Sequence, residues 1–192
     1  MRRVAIIGIV LVIAGGAFCA YFFWPFSGSM SSTPSSQALQ NAGYAFDSLG
    51  IKFSYPKSYV FESYPLGDEE ESWQSFMLVR EADKASADAN GASEGPVSIN
   101  ISIFQNPSHV SLENWIRTSP HSNFNLSSDQ KLTPTTLGGQ PAFSYQYSGL
   151  YESDAIAVLW QDQIYVLSVW WMDAKDAIRT DFANILKTVT FK

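Results

Sequence analysis

The sequence is poor in the side chains that carry most protein chemistry. Its 192 residues include one cysteine and two histidines. Cys19 lies inside an uncharged N-terminal run, so no intramolecular disulfide forms and packing must hold the fold. The same scarcity excludes a cysteine nucleophile or a cysteine-based zinc site in residues 44–192. His109 and His121 are twelve residues apart, both near prolines, with neither HExxH nor a paired-His metal spacing. They read as surface side chains.

Positive charge is also scarce. There are 12 basic against 18 acidic residues, and Arg2 and Arg3 are the only charged residues before Asp47. Setting those two arginines aside, the remainder carries a net charge of −8 (ten basic, eighteen acidic residues). An acidic domain without a basic stripe argues against nucleic acid as a partner and against electrostatic docking on anionic lipid.

Catalytic motifs are missing or incomplete. Gly-x-Ser-x-Gly is absent, and so is a phosphate-cradling glycine loop. Ser54-x-x-Lys57 and Ser128-x-x-Lys131 match S-x-x-K, but the S-D-N and K-T-G partners of that chemistry are absent. Asp88-Ala89-Asn90-Gly91 resembles the middle of a calcium loop. Its first ligand would then be Ser86 and its twelfth Val97, where a bidentate Glu is required. Asp68, Glu69, Glu70 and Glu71 read as a solvated acidic loop, with weak calcium binding as the alternative. The expectation is no catalytic residue, no cofactor and no metal site.

The long apolar run is confined to the N-terminus. Residues 4–24 are uncharged, long enough to span a bilayer core as a helix of about 20 residues. Arg2 and Arg3 on the short side place the N-terminus in the cytoplasm, Tyr21 and Trp24 fall at interfacial positions, and Pro25 ends the helix. Residues 1–26 are thus read as a signal-anchor. A cleaved signal peptide, cut near Ser27-Gly28-Ser29, is the rival. A lipoprotein at Cys19 is disfavoured by the bulky Phe18 before it. Residues 27–43 are serine-rich and uncharged, a flexible linker. The globular part, residues 44–192, is expected outside the cytoplasm, in the periplasm or at the cell exterior.

Within that part, residues 137–171 organise the fold. Phe143, Tyr145 and Tyr147 alternate with small or polar residues, so they share one strand face. Residues 155–160 and 164–171 are apolar on both faces, joined by Asp162-Gln163, which suggests a hairpin covered on both sides. Val97, Ile99, Ile101 and Ile103 alternate with Ser98, Asn100 and Ser102, the cleanest half-buried strand. Further strands are expected around Ile51, Phe53 and Tyr55, at residues 59–61, 75–81 and 189–191, with a strand start at Lys131-Leu132. Residues 82–96 read as a mobile polar loop and 119–136 as loop. Ser111 caps a short helix with Leu112, Trp115 and Ile116 on one face. Asp173 caps a second helix with the stripe Ile178, Phe182 and Ile185. The order predicts an α+β domain, a largely antiparallel sheet with helices packed on it.

The tryptophans are the candidate binding residues. Most of the aromatics read as core. The functional alternative is an exposed platform using Trp115, Trp170 or Trp171 for a small ligand, a glycan or a protein.

The order of several short motifs resembles PsbP-like domains. Tyr44-x-Phe46 and Phe53-Ser54-Tyr55-Pro56 with Tyr59 look like their opening. Leu137-Gly138-Gly139-Gln140-Pro141-Ala142, the strand at 164–168 and Phe182-Ala183-Asn184-Ile185-Leu186 leading to Phe191 look like their second half. The resemblance covers residues 44–192 and implies an α/β/α sandwich around an antiparallel sheet. That family includes photosystem accessory subunits, a Ran-binding nuclear transport factor and exported bacterial proteins of unknown role, mostly non-enzymatic binders. It supplies no catalytic motif to carry over. This chain departs from the exported bacterial form in lacking a good lipobox, and it has Tyr59 where Trp is usual. The implied function is a membrane-tethered, extracytoplasmic, non-enzymatic binding or accessory module with a protein partner in the membrane or envelope. The alternative is a small-ligand or glycan binder.

Overall fold

A computed structural model describes residues 44–46, 49–66, 73–90 and 95–192. The expected anchor (1–26), linker (27–43) and acidic loop (67–72) lie outside the described residues. Among the described residues no helix is long and apolar enough to cross a membrane.

The chain opens with β1 (Tyr44–Phe46), β2 (Ile51–Phe53), β3 (Tyr59–Leu66) and β4 (Trp73–Arg80), then α1 (Glu81–Asn90) and β5 (Ile99–Gln105). Helix α2 (Leu112–Thr118) is followed by two single 3₁₀ turns, Pro120–Ser122 and Phe124–Leu126. Next come β6 (Thr133–Leu137), β7 (Gln140–Ser148), β8 (Glu152–Trp160) and β9 (Gln163–Trp171). Helix α3 (Ala177–Leu186) and β10 (Thr190–Phe191) close the domain. Seven strands form one sheet in the order β3-β4-β5-β9-β8-β7-β6, every neighbouring pair antiparallel. A small second sheet has the order β1-β2-β10.

The large sheet is covered on both faces, as the doubly apolar runs require. On one face Ile99, Ile101, Ile156, Val158, Leu167 and Val169 pack with Ile178, Phe182 and Ile185 of α3 and with Ile51 and Phe53 of the small sheet. On the other, Ala155, Ala157, Ile164 and Val166 pack under Leu112, Trp115 and Ile116 of α2, together with Phe124, Tyr145 and Tyr147. Both helices carry the side-chain caps that satisfy their free N–H groups. Ser111 Oγ accepts from Asn114 N at 3.3 Å, and the Asp176 carboxylate accepts from Ile178 N at 3.2 Å.

Several expectations need correction. The cap of the last helix is Asp176, not Asp173. Asp173 instead accepts from Lys175 N at 2.8 Å and shapes the turn before the helix. Residues 81–90 form a helix where a mobile loop was expected. This segment has four alanines and no glycine or proline, and Glu81 and Asp83 sit in its first turn, where acidic side chains suit the helix dipole. The β8–β9 turn is Gln161-Asp162, one residue earlier than expected. Both have positive φ (46° and 59°), the geometry of a tight hairpin turn. The strand expected at Lys131 starts at Thr133, and residues 119–126 wind into the two 3₁₀ turns. Gly138 and Gly139 turn β6 into β7 at φ 56° and 81°, and a Cβ on Gly138 would lie 2.8 Å from the Phe191 ring.

Each face makes its own energetic prediction. Phe182→Ala empties a site in the α3-side core, an expected loss of about 3–5 kcal/mol. Ile116→Ala does the same under α2 for about 2–5 kcal/mol. Urea unfolding of the full chain checks both, and a loss under about 1 kcal/mol at either position would mean that face is not packed as described.

Candidate functional site

The covering layers are shorter than the sheet, and this creates the concave surfaces. Helix α2 and its 3₁₀ turns sit over β7, β8 and β9. They leave part of β4 and β5 on that face open. A cleft of about 410 Å³ lies there. The pairings Ser75↔Ser102, Met77↔Asn100, Ser102↔Val166 and Asn100↔Ser168 put these six side chains on one face, and all six line the cleft. His121, Ser122 and Asn123 form one wall, and Tyr147 and Trp170 stand across the floor. The size fits a small-ligand site.

Local chemistry fixes the walls. Asn123 adopts the left-handed conformation (φ 56°), which lets the chain pass from one 3₁₀ turn to the next. Ser122 is the hub of that loop: its hydroxyl lies 2.7 Å from the Ile116 carbonyl and 2.8 Å from the Ser119 carbonyl, and it accepts from Phe124 N at 3.1 Å. Tyr145 Oη donates to the Ser122 carbonyl at 2.8 Å and ties the loop to β7. His121 packs against two rings that also touch each other, 4.4 Å from Trp73 and 5.4 Å from Phe104, centroid to centroid. Tyr151 stacks on Trp170 at 5.9 Å and donates its hydroxyl to the Gly95 carbonyl at 2.7 Å.

The floor is polar and uncharged. Ser75 Oγ and Ser102 Oγ are 3.2 Å apart, and Asn100 Nδ2 donates to Ser98 Oγ at 3.1 Å. Among the described residues no carboxylate, lysine or arginine lines the cleft. Glu62 shares this face beside Met77 and is paired with Lys84. On the strand between the two aromatic walls, Ser153 pairs in register with both Trp170 and Tyr147. Its Oγ is buried without a hydrogen-bond partner, and the residue is only 1% exposed.

The opposite face carries two further depressions, about 390 and 530 Å³, that share Ser144, Asp154 and Ala155. Asp154 is already engaged there. Arg179 Nε and Nη2 reach its two oxygens at 2.7 and 3.1 Å, and Gln146 Nε2 donates at 2.6 Å. This arrangement clamps α3 to β8 and supplies no free charge for chemistry. Among the described residues no group of three or more His, Cys, Asp or Glu side chains could hold a metal ion.

The three nominated tryptophans separate. Trp170 lines the cleft. Trp115 is 9% exposed and packs on Phe104 at 5.0 Å, so its exposure is corrected to core. Trp171 faces the other way, with the Arg179 guanidinium 4.3 Å above its ring. His109 is exposed and pairs with Asp162 at 2.9 Å. His121, by contrast, is a wall of the cleft. Its sequence neighbours give no sign of this, because its ring partners come from β4 and β5.

Buried phenols give the domain a pH limit. Burial pushes the pKa of Tyr145 up, and the charge of Tyr147 adds to it. Burial also raises Tyr59, and its bond to Asp181 (2.7 Å) raises it further, against the lowering pull of Arg80. The folded chain therefore holds these protons more tightly than the unfolded chain. Their contribution is complete below the ordinary phenol value of about 10 and is lost as pH rises beyond it. The urea midpoint is expected to fall above about pH 10. Ionisation of all nine tyrosines, read near 295 nm, before the sheet unfolds would contradict this.

Neither a protein-family model nor a curated protein matches the sequence. Solved structures do. Cyanobacterial PsbP (CyanoP) from Synechocystis sp. PCC 6803 superposes with a TM-score of 0.53 at 10% identity, covering 79% of this chain and 92% of that one. A protein of Bacteroides thetaiotaomicron VPI-5482 gives 0.48 at 12% identity, covering 80% of this chain and 49% of the other. LpqN, involved in cell envelope biogenesis of Mycobacterium tuberculosis, gives 0.43 at 16% identity, covering 79% and 90%. The antiparallel sheet with its helices is a PsbP-like fold.

Proposed function

We propose that this protein is a membrane-tethered, extracytoplasmic, non-enzymatic binding module that takes a small ligand in the cleft between β4, β5 and the loop at residues 121–123. One observation carries the reading. The cleft joins aromatic walls, Trp170 and Tyr147, to a floor of convergent hydroxyl and amide groups. A flat apolar face would have favoured a protein partner instead; a concave, mixed surface suits a ligand held by stacking and hydrogen bonds. The membrane tether rests on the apolar run at residues 4–24, and the extracytoplasmic placement on Arg2 and Arg3 before it. An accessory role, in which the bound ligand is presented to a membrane or envelope partner, fits the tethered arrangement.

A thiol placed in the cleft tests site and location together. In a full-length Cys19→Ser background, Ser102→Cys puts one cysteine on the cleft floor. A membrane-impermeant maleimide added to spheroplasts is expected to label it without permeabilisation. A small-molecule extract of the host cells is expected to slow that labelling several-fold, while a control cysteine introduced by Lys57→Cys at an exposed position is unaffected. Labelling only after permeabilisation would overturn the location. No slowing by any extract fraction would overturn the ligand site.

A further inference from the structure

Three large apolar side chains are exposed among the described residues: Leu126 at 44%, Leu150 at 68% and Met172 at 75%. They are not scattered. Leu126 follows the cleft wall at Asn123 by three residues, and Met172 follows Trp170 by two. Leu150 sits in the β7–β8 turn, next to Tyr151, whose ring stacks on Trp170. A Cβ built on Gly149 would meet Leu126 Cδ1 at 3.8 Å, which brings the 3₁₀ turn against the same hairpin turn. The pairing Glu152↔Trp171 sets Met172 at this end of the sheet too. The exposed apolar surface is therefore gathered at the end of the cleft that Trp170 closes. Isolated exposed apolar residues are ordinary; a group placed beside a concave site is a contact surface.

Among the described residues the cleft offers no formal charge from a carboxylate, lysine or arginine, although the whole chain is strongly acidic. Glu62, on the same face beside Met77, is paired with Lys84. The polar groups of the cleft are hydroxyls, amides and the His121 imidazole. Such a surface compensates the desolvation of hydroxyl groups, and leaves a charged head without a counter-ion. Resting on the ligand reading above, we infer that the ligand is an amphiphile. An uncharged, hydroxyl-bearing head occupies the cleft against Asn100, Ser168 and Trp170, and an alkyl chain lies along Leu150 and Met172 at its end.

The alkyl glucosides, at concentrations below micelle formation, are suitable probes. The full-length protein is held in polymer-bounded native membrane particles, and binding is read as protection of the thiol introduced by Ser102→Cys in the labelling assay. Hexyl glucoside is expected to protect at concentrations at least about tenfold lower than methyl glucoside, the gain that two buried methylenes supply. Leu150→Ser with Met172→Ser is expected to remove that gain and leave methyl glucoside unchanged. Hexyl sulfate, with the same chain and a charged head, is expected to protect at least tenfold less well than hexyl glucoside. Equal protection by methyl and hexyl glucoside would overturn the amphiphile and keep the cleft as a polar site. A hexyl gain that survives the double substitution, or hexyl sulfate matching the glucoside, would also overturn it. Protection by cell extract with none from either glucoside would overturn the hydroxyl-bearing head alone.

Discussion

The pairing of β9 with β5 on one side and β8 on the other is the constraint on which the rest of the domain depends. Strand β9 carries Ile164 and Val166 to one face and Tyr165, Leu167 and Val169 to the other, all buried. A strand apolar on both faces cannot meet water on either, so the chain must supply two covers. It does so with short pieces: α2 with its 3₁₀ turns on one side, α3 with β2 and β10 on the other. The buried phenol of Tyr165 extends the same logic. Its Oη donates to the Leu49 carbonyl and lies 2.7 Å from the Gln163 side chain, joining the small sheet to the large one.

Short covers on a seven-stranded sheet leave opposite quarters open. On the α3 face the uncovered quarter shows Thr133, Thr135, Ser144 and Gln146, with Asp154 tied down by Arg179. On the α2 face it shows Ser75, Met77, Asn100 and Ser102. Both quarters are polar, as solvent-facing sheet surface must be. The second is walled by Trp170, Tyr147 and His121. The last of these walls comes from the loop at residues 119–126, whose serine and asparagine turns hold His121 and Asn123 over the sheet. In a PsbP-like fold the sheet supplies the frame, and such loops decide what it can hold.

Much of the frame was legible in the sequence. Alternation at residues 97–103 and the two-sided apolar runs at 155–171 identified the central strands, and Ile178, Phe182 and Ile185 marked the covering face of α3. The alternation at 98, 100 and 102 also contained the cleft floor, read only as the polar side of a half-buried strand. What period 2 does not reveal is whether a polar face meets bulk water or lies beneath a loop. The walls were hidden for the same reason. Trp170 and Trp171 are equivalent in the sequence, yet their opposite orientations give one to the cleft and the other to Arg179. Residues 81–90 were misjudged because their polarity outweighed the helix propensity of their alanines.

The central claim is that α2 covers one half of its sheet face and leaves the other half accessible. Fluorine NMR of the full-length protein, labelled with 5-fluorotryptophan and exposed to a soluble gadolinium chelate, tests this directly. The account predicts strong broadening of the Trp170 resonance and little broadening of Trp115. Broadening of Trp115 as strong as that of Trp170 would show that α2 does not cover the sheet, and the cleft as described would not exist.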